Sequence, residues 1–483
     1  MTGTLDLRPL VPAIIVGATS LVVLLAQAFN PKGKRAPSFP LSLIGLLGAL
    51  AAVWLLFTGA GRGAVLAGAI SADAFSLFFQ ALVLGIAVVA VLLSPSYLQA
   101  NGGERGEFYA LLLMSVVGML GLVSSLELVS LFVALEIMSI ALYAMAGMVR
   151  DRPESQESAL KYFVTGSFSS AFFLYGIALL YGASGSTSLD RVALATSSLS
   201  THSMGLAVLG AGMLLVGFGF KVAAVPFHMW APDVYEGAPT PATAFMSAGV
   251  KAAAFGALLR VFGSGLPALA GEWQPLVAAL AAVTMVVGNL AALGQSNLKR
   301  MLAFSSVAHA GYVLVALVAA PHLAGEAVLF YLVAYGAVNL GAFGTLAALS
   351  RDGREPLSLT DVAGLAERRP ALAAALTVFL VSLTGIPVTA GFVGKFYLFN
   401  AAVSAGWVWL ALVGVLMSVV SAYYYLRVVV AMYMRDPVGE DTWAPIAPAA
   451  RLALAISVFA TLAFGIYPAP LLDLARLAAR SLL

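Results

Sequence analysis

Apolar residues run along this chain in blocks of about 20, each closed by charged residues or by a Gly- or Pro-rich break. The blocks show neither the alternation of a half-buried strand nor the single apolar stripe of a water-facing helix, so they predict helices that are apolar all round. Fourteen can be marked, over residues 9–29, 40–58, 73–93, 108–125, 126–149, 158–182, 204–226, 239–263, 275–294, 299–320, 325–350, 370–400, 405–434 and 449–468. Only a short turn at Ser124–Ser125 separates the fourth from the fifth. Beyond the last block, Leu471–Leu483 is amphipathic, carries Arg476 and Arg480, and is expected to lie along the surface. The predicted fold class is an all-α polytopic membrane protein with about 14 transmembrane helices.

Composition supports this and removes other functions. Of 483 residues, 61% are hydrophobic and 10% charged, against roughly 25% charged in a soluble chain. A formal charge of +3 is too small to argue for nucleic acid. The absence of cysteine excludes disulfides, thiolate nucleophiles and cysteine-ligated zinc or iron–sulfur centres. Four histidines (His202, His228, His309 and His322) leave little for haem ligation, and no phosphate-binding glycine motif occurs. Any redox chemistry would have its electrons in other subunits. Residues 9–29 lack a basic leader and are expected to stay as a span. Fourteen Lys and Arg fall on one side of the predicted membrane, among them Lys32, Lys34, Arg35, Arg105, Arg150, Arg152, Lys299, Arg300, Arg351 and Arg354. Six fall on the other: Arg8, Arg62, Arg191, Arg260, Arg476 and Arg480. The richer side is expected to be cytoplasmic, leaving both termini outside.

Against this background, ionisable groups inside the blocks stand out, because each costs at least about 2.5–3.5 kcal/mol at mid-membrane. Glu136, Lys221, Lys251 and Lys395 lie deep in their blocks, and His309 lies nine residues beyond Arg300, roughly 13 Å down a helix. These five are the candidate functional residues. Lys161 and Arg427 lie nearer helix ends, where a long side chain reaches the interface; Lys161 and His228 are accessory candidates. Glu127 opens a helix and reads as a cap. No metal site is expected.

Two of the blocks should be broken: Pro226 follows Lys221 by five residues, and Gly385, Pro387, Gly391 and Gly394 precede Lys395. Broken helices at membrane depth line protein-walled, hydrated cavities. Glu136 to Lys221 spans 85 residues and His309 to Lys395 spans 86. This offset of 173–174, or five spans, predicts two inverted five-helix repeats over 108–263 and 275–434, preceded by three helices (1–107) and followed by a last helix with its tail (435–483). Under it, Lys251 maps to Tyr424–Tyr425.

The stretch Lys221–Pro241, KVAAVPFHMWAPDVYEGAPTP, followed by AFMSAGVKAAAF, resembles the antiporter-like membrane subunits of NADH-quinone oxidoreductase (respiratory complex I). Its wording is similar to the subunit N branch, the counterpart of mitochondrial NADH dehydrogenase subunit 2. The L and M branches and multisubunit cation/proton antiporters read nearer PLHTWLPDAHxxAPTP, where this chain has Val234-Tyr235 in place of Ala-His. Further matches are FVALE at Phe132–Glu136, SNLKRMLAFSSVAHAGY at Ser296–Tyr312 and GIPVTAGFVGKF at Gly385–Phe396. The resemblance implies proton-channel roles for Glu136, Lys221, Lys251 and Lys395, with His309 in the connecting axis. It implies a plasma-membrane complex with FMN, iron–sulfur clusters, NADH and quinone in partner subunits, and none of these bound here. The alternatives are a subunit of a sodium or potassium/proton antiporter and a passive anchor. Glu136 and Lys221 are expected to pair on adjacent helices, with Lys251 as relay and Lys395 as outlet.

Overall fold

The computed structural model describes residues 7–30, 36–59, 63–65, 68–101, 105–319, 321–350, 355, 357–438 and 446–482. Of the charges used for orientation, Lys32, Lys34, Arg35, Arg62, Arg351 and Arg354 lie outside the described residues. The first half contains α1 (Val11–Ala28), α2 (Ser38–Thr58), α3 (Ala74–Ala100), α4 (Gly106–Ser124), α5 (Leu128–Ala146), α6 (Pro153–Ser184), α7 (Leu189–Thr196), α8 (Thr201–Val222), α9 (Trp230–Gly237), α10 (Thr240–Phe245) and α11 (Lys251–Arg260). The second contains α12 (Ala270–Leu293), α13 (Leu298–Leu317), α14 (Pro321–Ala348), α15 (Leu365–Arg368), α16 (Pro370–Thr384), α17 (Ala390–Ser404), α18 (Val408–Met434), α19 (Pro448–Ile466) and α20 (Ala469–Arg480). A two-residue antiparallel ladder, β1 (Ala64–Val65) with β2 (Ile70–Ser71), joins α2 to α3.

Among the described residues, 13 helices are long and apolar enough to cross a membrane. The fourteenth expected span is α16 followed by α17, two short helices in one line of sequence. The protein is therefore a multi-pass membrane protein. Its helices start where side chains satisfy the free N–H groups: Asp73 caps α3 through Ser76 N at 2.7 Å, and Glu127 caps α5 through Val129 N and Ser130 N. The α4–α5 turn at Ser125 is real, and Ser125 Oγ closes it on Gly121 O at 2.8 Å.

Close approach of helices depends on glycine. A Cβ on Gly118 of α4 would lie 2.3 Å from Met138 N of α5, and one on Gly288 of α12 would lie 2.6 Å from Ala308 N of α13. Both residues of the second pair stand 170 positions after those of the first (288 − 118 and 308 − 138). Two isolated β-bridges repeat at the same interval, Glu127 with Ser188 and Asn297 with Ser358.

The eighth span, 240–265, is one helix with two π-helical stretches, Met246–Val250 just before Lys251 and Val261–Gly265 after Arg260. It is the most enclosed span in the molecule. The amphipathic tail is α20, which buries Leu471, Leu472, Ala475, Ala478 and Ala479 and pairs Arg476 with Glu326 at 2.9 Å.

Candidate functional site

Glu136 on α5 is half-buried and accepts a hydrogen bond from Ser170 Oγ of α6 at 2.5 Å. Lys221 sits in the last turn of α8, 2% exposed. Its Nζ donates to Ser139 Oγ at 2.7 Å and Tyr143 OH at 3.3 Å, and lies 5.4 Å from the Tyr143 ring. The expected ion pair is therefore not closed: Ser139, one turn beyond Glu136, takes the ammonium, while Ser170 takes the carboxylate.

The helix breaks just after Lys221, three residues before Pro226. Ala223 adopts a left-handed conformation (φ 60°), and Ala224 N returns to Gly219 O at 2.7 Å. Trp230 Nε1 takes the Phe220 carbonyl at 3.0 Å, and Thr284 Oγ1 accepts from Val225 N at 3.0 Å. His228, an accessory candidate, lies half-buried in this turn beside the exposed Pro226 and Met229. Among the described residues no hydrogen bond joins it to Lys221 or Lys251.

Lys251, also 2% exposed, follows the π-helical stretch and donates to the Ser306 backbone carbonyl and to Ser306 Oγ at 2.6 Å. Ser306 Oγ accepts from Tyr335 OH at 2.8 Å, which accepts from Asn339 Nδ2 at 2.8 Å. One turn along α13, His309 bonds through Nδ1 to Tyr331 and through Nε2 to Tyr425 OH at 3.2 Å, and Tyr425 bonds Ser305. The residue mapped opposite Lys251 by the sequence spacing thus touches His309.

At the second break, Gly385 (φ 90°) and Val388 (φ 74°) separate α16 from α17. Lys395 reaches back across it to Leu383 O at 2.9 Å, Thr384 O at 3.0 Å and Ser418 Oγ at 3.2 Å, with the Tyr312 ring 4.6 Å away. The Tyr312 hydroxyl accepts from Asn289 Nδ2 at 3.1 Å, and Asn289 Oδ1 accepts from Tyr424 OH at 3.0 Å.

Lys161 is a surface group, paired with Glu157 at 2.6 Å and Asp233 at 2.7 Å; Asp233 also binds Arg300 at 2.7 Å. Arg427 donates to Gln295 O at 2.6 Å beyond the end of α12 and has no part in the axis.

Sequence reasoning missed a second polar centre. Lys299, counted as a flanking charge, is 1% exposed and bonds Ala238 O at 3.0 Å and Glu355 at 2.9 Å. The Glu355 carboxylate also accepts from Tyr97, from Thr240 Oγ1 at 2.7 Å and from Arg152 at 3.1 Å. Burial pushes its carboxyl up, but Lys299, Tyr97 and Thr240 outweigh that and hold it down at about 2. Its sequence signal was slight, since Glu355 shares its loop with Asp352, Asp361, Arg351 and Arg354.

The arrangement holds three lysine ammonium groups and an imidazole inside the helix bundle, each bonded to hydroxyl side chains that both donate and accept, and two of the lysines also to backbone carbonyls. Among the described residues no group of three or more His, Cys, Asp or Glu could hold a metal ion.

The family described as "NADH:quinone oxidoreductase/Mrp antiporter, TM" matches residues 125–421. NADH-quinone oxidoreductase subunit N of Trichlorobacter lovleyi is 43% identical over 479 residues, 99% of this chain and 98% of the relative. Subunit N of Chloroflexus aggregans is 43% identical over 473 residues, 97% of this chain and 96% of the relative. Among solved structures, a chain of respiratory complex I from Thermus thermophilus with bound Aureothin is 38% identical with a TM-score of 0.82, covering 96% of this chain and 98% of that one. A chain of the Mrp complex from Dietzia sp. DQ12-45-1b is 23% identical with a TM-score of 0.84, covering 100% of this chain and 98% of that one. That second likeness concerns the fold alone.

Proposed function

From the premise that the chain belongs to the NADH:quinone oxidoreductase/Mrp antiporter membrane family, in its NADH-quinone oxidoreductase subunit N branch, we propose that Glu136, Lys221, Lys251, His309 and Lys395 are the groups by which it moves protons. The chain is a proton-translocating membrane subunit of NADH-quinone oxidoreductase, assembled with other membrane subunits. The reading of the five residues rests on one observation: three nearly inaccessible lysines, each hydrogen-bonded to hydroxyl or carbonyl groups within the helix bundle.

Protons are taken up at Glu136–Lys221, cross by Lys251 and His309 and leave at Lys395. Lysine suits the task because its charge is lost readily on burial, whereas arginine's is not. Glu136 and Lys221 act as a switchable pair, apart in this structure and closed in the alternate state; Lys161 and His228 are outside the path. Electrons stay with FMN, iron–sulfur clusters, NADH and quinone in partner subunits.

Residues 108–263 and 275–434 form two inverted repeats, a reading supported by the glycine contacts and β-bridges recurring at 170 residues. An odd number of spans per repeat places their breaks in opposite halves of the bilayer. The membrane is the plasma membrane, with both termini outside, as the excess of Lys and Arg on one side supports.

The competing reading is a multisubunit cation/proton antiporter, which the Mrp likeness raises on fold alone. Isolating the native assembly through a tag on this chain separates the two. NADH-driven quinone reduction with proton release supports the proposal; an assembly that exchanges sodium or potassium for protons and does not oxidise NADH rejects it.

A further inference from the structure

Between Lys221 and Lys251 stands a line of aromatic side chains that the path above does not use. Tyr143, bonded by Lys221 at 3.3 Å, meets the ring of Tyr162 edge-on at 4.7 Å. Tyr162 is fully buried and lies flat on Trp230, with 4.4 Å between centroids and 9° between planes. Trp230 is anchored on Phe220 O at 3.0 Å and meets Tyr235 edge-on at 5.9 Å. Tyr235, 1% exposed, faces Ser306, the residue that holds both Lys251 and Tyr335. These ring contacts lead from one lysine to the next, while the Tyr162 hydroxyl stands apart from those of Tyr143 and Tyr235.

The middle member of this line carries the second observation. The Tyr162 hydroxyl has no hydrogen-bond partner among the described residues, although it lies within electrostatic range of Tyr143 and Tyr235. Leaving a buried hydroxyl unpaired is unfavourable. Buried tyrosines usually find a partner, and an internal water with two or more polar neighbours is the usual one. Trp230 fixes the Tyr162 ring, so the direction of its hydroxyl is fixed as well.

We propose that Tyr162 and Tyr235, bridged by water molecules to each other and to Tyr143, form the hydroxyl relay that carries protons between Lys221 and Lys251. Each hydroxyl accepts a proton on a lone pair and releases its own to the next acceptor. Only O–H and N–H bonds form and break, no electron moves, and the proton that leaves the Lys221 ammonium ends on the Lys251 amine. Phenylalanine fills the same space but can neither accept nor release a proton. Histidine is a poorer fit in shape but can do both.

This inference rests on the reading of the lysines as proton carriers, and the test keeps the two apart. Tyr235→Phe, Tyr162→Phe, Tyr235→His and Lys221→Met are made in the whole complex, checked for assembly, reconstituted in vesicles and measured for protons translocated per NADH oxidised. Both phenylalanine variants are expected to fall to the level of Lys221→Met, with Tyr235→His well above Tyr235→Phe. A packing role predicts the reverse order, phenylalanine near wild type and histidine lowest, and that order overturns the relay. If Lys221→Met is inactive while both phenylalanine variants pump normally, the relay alone fails. If Lys221→Met itself pumps normally, the lysine reading falls and the relay with it.

Discussion

The two broken helices place a lysine on opposite sides of the break. Lys221 precedes its break, in the last turn of α8, and gives its protons to side-chain hydroxyls on a neighbouring helix, Ser139 and Tyr143. Lys395 follows its break, in α17, and turns back to two backbone carbonyls at the end of α16, with one hydroxyl, Ser418, as third partner. Hydroxyls accept and donate, so a proton can pass through them; carbonyls only accept. On the proposed path this difference makes Lys221 a junction and Lys395 a terminus.

The largest expected effect comes at the junction. Lys221→Ala abolishes proton translocation through this chain while the complex still assembles, and Glu136→Gln lowers it strongly, both read as NADH-driven proton uptake in inverted vesicles. Normal pumping in assembled Lys221→Ala would break the comparison at its first member. At the terminus a titratable group matters more than its sign. Lys395→Glu is expected to keep most of the protons per NADH that Lys395→Met loses, and equal losses would make Lys395 an electrostatic post.

Smaller effects sharpen the contrast. Ser139→Ala removes one of two hydroxyl partners from a buried ammonium. A hydrogen bond to a charged group is worth about 1.5–3 kcal/mol, and about 1.4 kcal/mol is a tenfold change, so turnover-coupled pumping should slow about tenfold. Ser418→Ala leaves two carbonyls in place and is expected to slow it less than Ser139→Ala does. Equal slowing in steady-state assays would remove the distinction between hydroxyl and carbonyl sites.

The smallest effect concerns the clamp near the α9–α10 junction. Glu355 has its carboxyl lowered from 4.5 to about 2, so its contribution is present in full above pH 4.5 and lost as pH falls through about 2. The shift corresponds to a stability contribution on the order of 3 kcal/mol. Glu355→Gln should lower the melting temperature in detergent by a constant amount from pH 7 to 5, with the gap narrowing under acid. A gap that widens under acid would contradict the clamp.

The spans and both breaks were legible because membrane helices write themselves as apolar runs, and buried lysines interrupt them conspicuously. Partners were less legible. Tyr162, Tyr235, Tyr331 and Tyr425 count toward the apolar composition, so a hydropathy pattern treats the hydroxyl line as core. Lys299 looked like a flanking charge because its partner, Glu355, lies 56 residues away in a loop. The separation of Glu136 from Lys221 depends on the rotamers of Ser139 and Ser170, which spacing does not encode.

The central claim is that the buried lysines work by gaining and losing a proton, and Lys251 tests it most directly. It is 2% exposed and its ammonium is bonded only to Ser306 among the described residues. Lys251→Arg keeps the positive charge but cannot give up its proton, whereas Lys251→Ala removes both. Protons translocated per NADH should be as low in assembled Lys251→Arg as in Lys251→Ala. Pumping near wild type in the arginine variant would contradict the account.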